Sequence, residues 1–130
     1  MLLAYYCLVI PFVSSQKYKA CGDFSSLDPG EKCNESWFTI RNVLHPSQEA
    51  VGFASVKRKL EKSFQRRKDA ESEMSEEYLP FVLGPRGVPY LVDSHHTVFA
   101  LETSNYNVNV TLYMICDWSD MDDATFYIQM

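Results

Sequence analysis

Asp93, Ser94, His95, His96 and Thr97 are the residues whose types and adjacency could do chemistry as a group. A carboxylate and two imidazoles supply acid–base groups that work near neutral pH. The five follow an apolar run, residues 88–92, and precede an apolar-periodic segment, residues 98–102. That order predicts a strand handing over to a helix, with the polar knot at the helix N-terminus. The first N–H groups of a helix have no intrahelical partner, so this position can hold an anion. An imidazole there is discouraged from charging, which suits a neutral base or donor. Adjacent helical residues point about 100° apart. His95 and His96 should therefore not face one ligand together; one faces a cleft and the other packs or hydrogen-bonds. Asp93 has three open roles: orienting an imidazole, binding a metal ion or capping the helix. A plain Asp/Ser cap followed by two partly exposed histidines has the same sequence signature.

The elements that would position this knot can be read around it. Residues 81–83, the turn Gly84-Pro85-Arg86-Gly87 and residues 88–92 predict a strand hairpin. Upstream, residues 37–43 (WFTIRNV) alternate and read as a strand, closed by His45-Pro46. Residues 47–68 read as one helix capped by Ser47, with Phe53, Val56, Leu60 and Phe64 as its apolar stripe. Lys57, Arg58, Lys59, Lys62, Arg66, Arg67 and Lys68 supply seven of the chain's 12 Lys and Arg residues. Such a run is a solvated helix face or a phosphate-facing surface. Residues 69–77 are acidic and read as a linker or fraying helix end. Residues 108–115 alternate, with Val108, Val110, Leu112 and Met114 on one buried face. An acidic turn, residues 117–123, leads to a last helix, residues 124–130.

Leu91-Val92-Asp93-Ser94-His95-His96-Thr97, followed by Ala100-Leu101, resembles the D-G-H-H-R/T motif of the ParB-like nuclease family, within the ParB/sulfiredoxin superfamily. Leu44-His45-Pro46-Ser47-Gln48 with Val51-Gly52, Val56 and Lys59 is similar to that family's opening pattern. Asp117-Trp118-Ser119-Asp120 and Phe126 to Met130 are similar to its next segment. The resemblance covers residues 38–130. Ser94 stands where the family has glycine, a residue that lets the backbone approach a ligand closely. The resemblance implies a small α+β domain of ParB/sulfiredoxin type, with a mixed sheet and packed helices. It implies catalysis by Asp93, His95 and His96, with Ser94, Thr97 and Lys59 holding a nucleotide or other phosphate. It also implies a domain longer than this one, since the last helix has barely begun at Met130.

A chain of 130 residues with 46% hydrophobic and 22% charged residues has room for one small globular domain. A net charge of −5 lends no overall attraction to nucleic acid. Residues 1–15 are uncharged, with about 12 consecutive apolar residues, too few to span a bilayer but suited to a signal peptide. The reading is therefore a secreted protein: residues 1–15 removed, a lead-in over 16–36, and the ParB-like domain over 37–130, with no membrane span in the mature chain. A buried N-terminal strand is the alternative for residues 1–15. In a secreted lead-in, Cys21 and Cys33 should form a disulfide. Cys116 reads as a buried thiol. Asn34-Glu35-Ser36 and Asn109-Val110-Thr111 are glycosylation acceptors. Zinc would need ligands beyond the two histidines, and only His45, Cys116 or distant carboxylates could supply them. No metal site is assigned; the cofactor stays open, a divalent metal ion being the candidate. The expected function is a nuclease or nucleotide-binding enzyme whose partner is a nucleotide or nucleic acid. A secreted binding module that keeps the fold without catalysis is the rival.

Overall fold

The computed structural model describes Tyr6, Cys7, residues 18–48 and residues 50–130. The described residues form seven strands: β1 (Tyr6–Cys7), β2 (Lys19–Ala20), β3 (Lys32–Ser36), β4 (His45–Pro46), β5 (Tyr78–Leu83), β6 (Pro89–Leu91) and β7 (Asn109–Asp117). Five α-helices join them: α1 (Trp37–Ile40), α2 (Phe53–Ser63), α3 (Arg67–Glu76), α4 (His95–Ser104) and α5 (Asp123–Gln129). The sheet order is β2-β3-β7-β5-β6-β4, with β1 paired to β7 opposite Cys116 and Asp117. The pairing is mixed. β5 and β6 are antiparallel, β5 and β7 parallel, and β3 and β7 antiparallel. This is the expected α+β architecture.

The hairpin forms as the sequence predicts, with Phe81 opposite Leu91 and Leu83 opposite Pro89. Its turn bends through positive φ at Arg86 (62°) and Gly87 (73°). Gly84 is required by space: a Cβ there would lie 2.7 Å from the Tyr90 ring. The main core joins Phe81, Leu83, Val110, Leu112 and Met114 to Trp37, Ile40, Val56, Ala70, Met74, Ala100 and Leu101 from helices. Val82 and Cys116 belong to a second, smaller cluster with Met121 and Phe126. Alternate strand residues face opposite sides, and a β-bulge between the Phe81–Met114 and Val82–Cys116 pairs turns Cys116 to the side of Val82, so α5 covers the second face of the sheet.

Three readings of local structure need correction. Residues 37–43 are not a strand, because Trp37 and Ile40, three apart, bury together on α1. The strand lies just upstream, over Lys32–Ser36, in the segment read as a loop. Residues 47–68 are not one helix. The chain breaks at Phe64, which turns inward and is 3% exposed, and a second helix takes in the acidic stretch read as a linker. Ala70 and Met74, four apart, give that helix a narrow buried stripe. Finally, Cys116 is not a thiol: it is disulfide-bonded.

The expected Cys21–Cys33 disulfide is present, with Cα atoms 5.1 Å apart. Among the described residues no helix is long and apolar enough to cross a membrane. Within the leader, residues 1–5 and 8–15 lie outside the described residues, as does Gln16.

Candidate functional site

The knot sits at the start of α4, beside the C-terminal end of β6. Ser94 occupies the N-cap at φ 66°, ψ 25°, a left-handed conformation natural to glycine. Its side chain makes no capping hydrogen bond. Asp93 is exposed, and its Oδ1 accepts a 2.7 Å hydrogen bond from the Ser94 N–H. The carboxylate is thus folded back onto the backbone just before the helix.

Both imidazoles reach the same neighbouring loop. His95 Nε2 lies 3.3 Å from the Ser47 hydroxyl, and His96 Nε2 accepts from the Gly52 N–H at 3.3 Å. A backbone N–H can only donate, so His96 Nε2 carries a lone pair in this arrangement. Ser47 also donates its own N–H to the Leu91 carbonyl, tying the loop to β6. His95 is 8% exposed. Burial pushes its pKa below the ordinary histidine value, a trend strengthened by His96 and opposed by the Leu91 carbonyl and Asp93. The imidazoles diverge as helix geometry requires, yet both bind the loop that leads into α2.

Thr97 and Lys59 form a second group. The Thr97 hydroxyl donates to Glu77 Oε1 at 3.1 Å. Lys59 Nζ lies 3.0 Å from Glu73 Oε1 and 4.0 Å from Glu77 Oε2. Lys59 is thus linked to the knot through Glu77 and Thr97, with two carboxylates beside its ammonium. Asn34 and Asn109 are on paired strands. Asn34 Nδ2 donates to Thr111 Oγ1 at 2.9 Å, and Asn109 is exposed. Among the described residues no cluster of three or more His, Cys, Asp or Glu side chains could hold a metal ion.

A cavity of about 560 Å³ opens beside His95. His95, Val98, Phe99 and Glu102 line it from α4, the stripe expected at positions i, i+3, i+4 and i+7. Trp37 and Arg41 line it from the α1 side, and Gln48, Ala50 and Val51 from the loop. The Trp37 indole donates to Glu102 Oε2 at 2.8 Å, and Arg41 lies 3.5 Å from Glu102 Oε1. The sequence reading missed Trp37, Arg41, Ser47 and Glu102 as site residues. The helical stripe running from His95 to Glu102 was the signal for the last. Trp37 and Arg41 were hidden because their segment reads as a strand.

The comparisons agree with this architecture. No curated protein matches the chain. The crystal structure of protein Atu1540 from Agrobacterium tumefaciens is similar, with a TM-score of 0.57 and 28% sequence identity. The match takes in 77% of this chain and 46% of the Agrobacterium protein, so this chain spans less than half of that protein's length. The family model described as "Putative ParB-like nuclease" matches residues 39–130. That span holds the hairpin, the knot, β7 and α5, and the chain belongs to the ParB-like nuclease family.

Proposed function

We propose that this domain is a secreted phosphate-handling protein of nuclease type, acting on a nucleotide or nucleic acid at the Asp93–Thr97 knot. The observation that carries the reading is the pair of imidazoles at the start of α4, of which His95 lines a cavity of about 560 Å³ and His96 meets the adjoining loop at Gly52. Helix N–H groups favour a phosphate there. His96 presents a lone pair at Nε2, so releasing the Gly52 contact frees a base for an attacking water or hydroxyl. Ser94 and Thr97 flank the anion position, and Lys59 would reach a phosphate only by leaving its pairs with Glu73 and Glu77. A divalent ion, if used, would be held by Asp93 together with substrate phosphates, since hard cations favour carboxylate and phosphate oxygens. The disulfide supports an oxidising compartment. On the same reasoning we assign Asn34 and Asn109 as glycan acceptors and residues 1–15 as a cleaved leader; the pairing of β1 with Cys116 and Asp117, and the disulfide at Cys116, weigh against that cleavage.

Two observations favour the rival, a non-catalytic binding module. Both His Nε2 atoms are engaged by the loop, and Ser94 replaces the family glycine. One experiment separates them. His96→Ala should abolish turnover of a phosphodiester substrate, or nucleotide binding, while costing little in thermal stability. Asp93→Ala should reduce function as well. If it instead lowers stability by about 1 kcal/mol with function intact, Asp93 is a local backbone brace. Ligand binding without turnover in the wild type selects the binding module.

A further inference from the structure

We propose that the cavity beside His95 is a base pocket built for a guanine-type edge. This rests on the nucleotide reading above, since it assigns the other end of the same ligand. The volume, about 560 Å³, is that of a small-molecule site. Leu44, Leu91 and Val98 line it, and Phe99 is 52% exposed on its wall. An apolar slot with an aromatic ring at one side suits a planar base, which stacks on aromatic faces.

The polar groups of the slot decide which base. Glu102 and Arg41 stand side by side, 3.5 Å apart. Trp37 fixes the carboxylate through its 2.8 Å hydrogen bond, and the Arg41 guanidinium rests over the Phe38 ring at 4.0 Å. Each carboxylate oxygen has two lone pairs, and a guanidinium has five N–H donors, so both retain capacity for a ligand. A fixed acceptor beside a fixed donor matches an edge that carries donors beside acceptors. Guanine presents the acceptors N7 and O6 next to the donors N1–H and N2–H₂. The carboxylate can accept from both N–H groups while the guanidinium donates to O6. Adenine offers one donor group and places the lone pair of N1 against the carboxylate. Cytosine does the same with N3. Both lose a hydrogen bond and gain a repulsion. Glu102 lies seven residues beyond His95 on α4, so the two ends of the site are about 10 Å apart along the helix axis. That separation suits one mononucleotide laid along the helix.

The test is calorimetric titration of the oxidised protein with GMP, AMP, CMP, guanosine, adenosine and inorganic phosphate. GMP should bind about tenfold or more tightly than AMP or CMP, the discrimination expected of a bidentate contact. Glu102→Gln should remove that preference while leaving AMP affinity within about threefold. Glu102 also holds Trp37 and Arg41, so Phe99→Ala at the rim is the second variant. It should weaken GMP and AMP alike, with an unchanged melting temperature. Equal affinity for GMP and AMP overturns the guanine pocket and leaves the phosphate reading standing. Guanosine binding in preference to adenosine, with no gain from the 5′-phosphate and none from inorganic phosphate, supports the pocket and removes the phosphate reading alone. Binding by none of the six overturns both.

Discussion

Ser94→Gly should stabilise this domain. Ser94 holds φ 66° and ψ 25°, where a Cβ costs roughly 1–2 kcal/mol. Its side chain makes no capping bond, so the substitution removes no such contact. Glycine brings a more flexible unfolded chain, which offsets roughly 0.4–1 kcal/mol. The net gain is about 0.5–1 kcal/mol. In urea, with a slope near 1.5 kcal/mol/M, the unfolding midpoint should rise by about 0.5 M while the slope stays fixed. Ser94→Ala is the control. It keeps the Cβ and the left-handed backbone, so its midpoint should stay within about 0.3 M of the wild type. A fall in the midpoint for Ser94→Gly, or equal midpoints for the glycine and alanine variants, refutes the strain argument. The Asp93 carboxylate accepts from the backbone N–H of Ser94, a donor that both changes keep.

Replacing Cys21 and Cys33 with serine should cost about 3 kcal/mol, read by urea unfolding, since the bond closes a loop of 12 residues' separation. Intact-mass measurement of secreted protein should give a mature chain starting near Gln16, with Cys21 and Cys33 joined; a retained Met1, which keeps β1 beside Cys116 and Asp117, refutes the leader. His95 is neutral in the fold and has a depressed pKa, so unfolded chains bind more protons below the ordinary histidine value of 6.5. Its contribution is fully present above about pH 6.5 and declines as pH falls through that value toward the lower folded pKa. Melting temperature against pH should show this fall from about pH 6.5, and His95→Gln should flatten it.

The hairpin, β7, α4 and α5 were legible because each carries one clear period and its own punctuation. Glycine and proline mark the hairpin turn, and Val108, Val110, Leu112 and Met114 alternate without interruption. The misread stretches were those where two periods fit. In WFTIRNV, alternation for a strand coexists with Trp37 and Ile40 at helical spacing, and tertiary burial selected the helix. The break at Phe64 was hidden because its apolar side chain continues the stripe of α2, although it packs at the helix end. At the site, the motif residues were found but their partners were not. Ser47 and Gly52 meet the imidazoles across a sequence separation of 48 and 44 residues, which no local pattern records. Lys59 reaches the motif only through Glu77 and Thr97, and the sequence hides this because Glu73 and Glu77 fall in an acidic stretch that reads as a linker.

The ends of the sheet bear on how this protein behaves at high concentration. The six-strand path finishes on β2 at one side and β4 at the other, each two residues long. β2 carries Lys19 and β4 carries Pro46, which has no N–H to offer. An exposed edge recruits another chain only through a run of unpaired N–H and C=O groups, and charge or proline blunts it. The long strands β5 and β7 are both interior to this path, flanked on each side. The apolar alternation of β7, an amyloid-like pattern, is therefore already paired on both sides, with β3 and β5, while the fold is intact. Fibre growth from this protein would have to begin with opening of the sheet, so its rate should follow the population of unfolded chains.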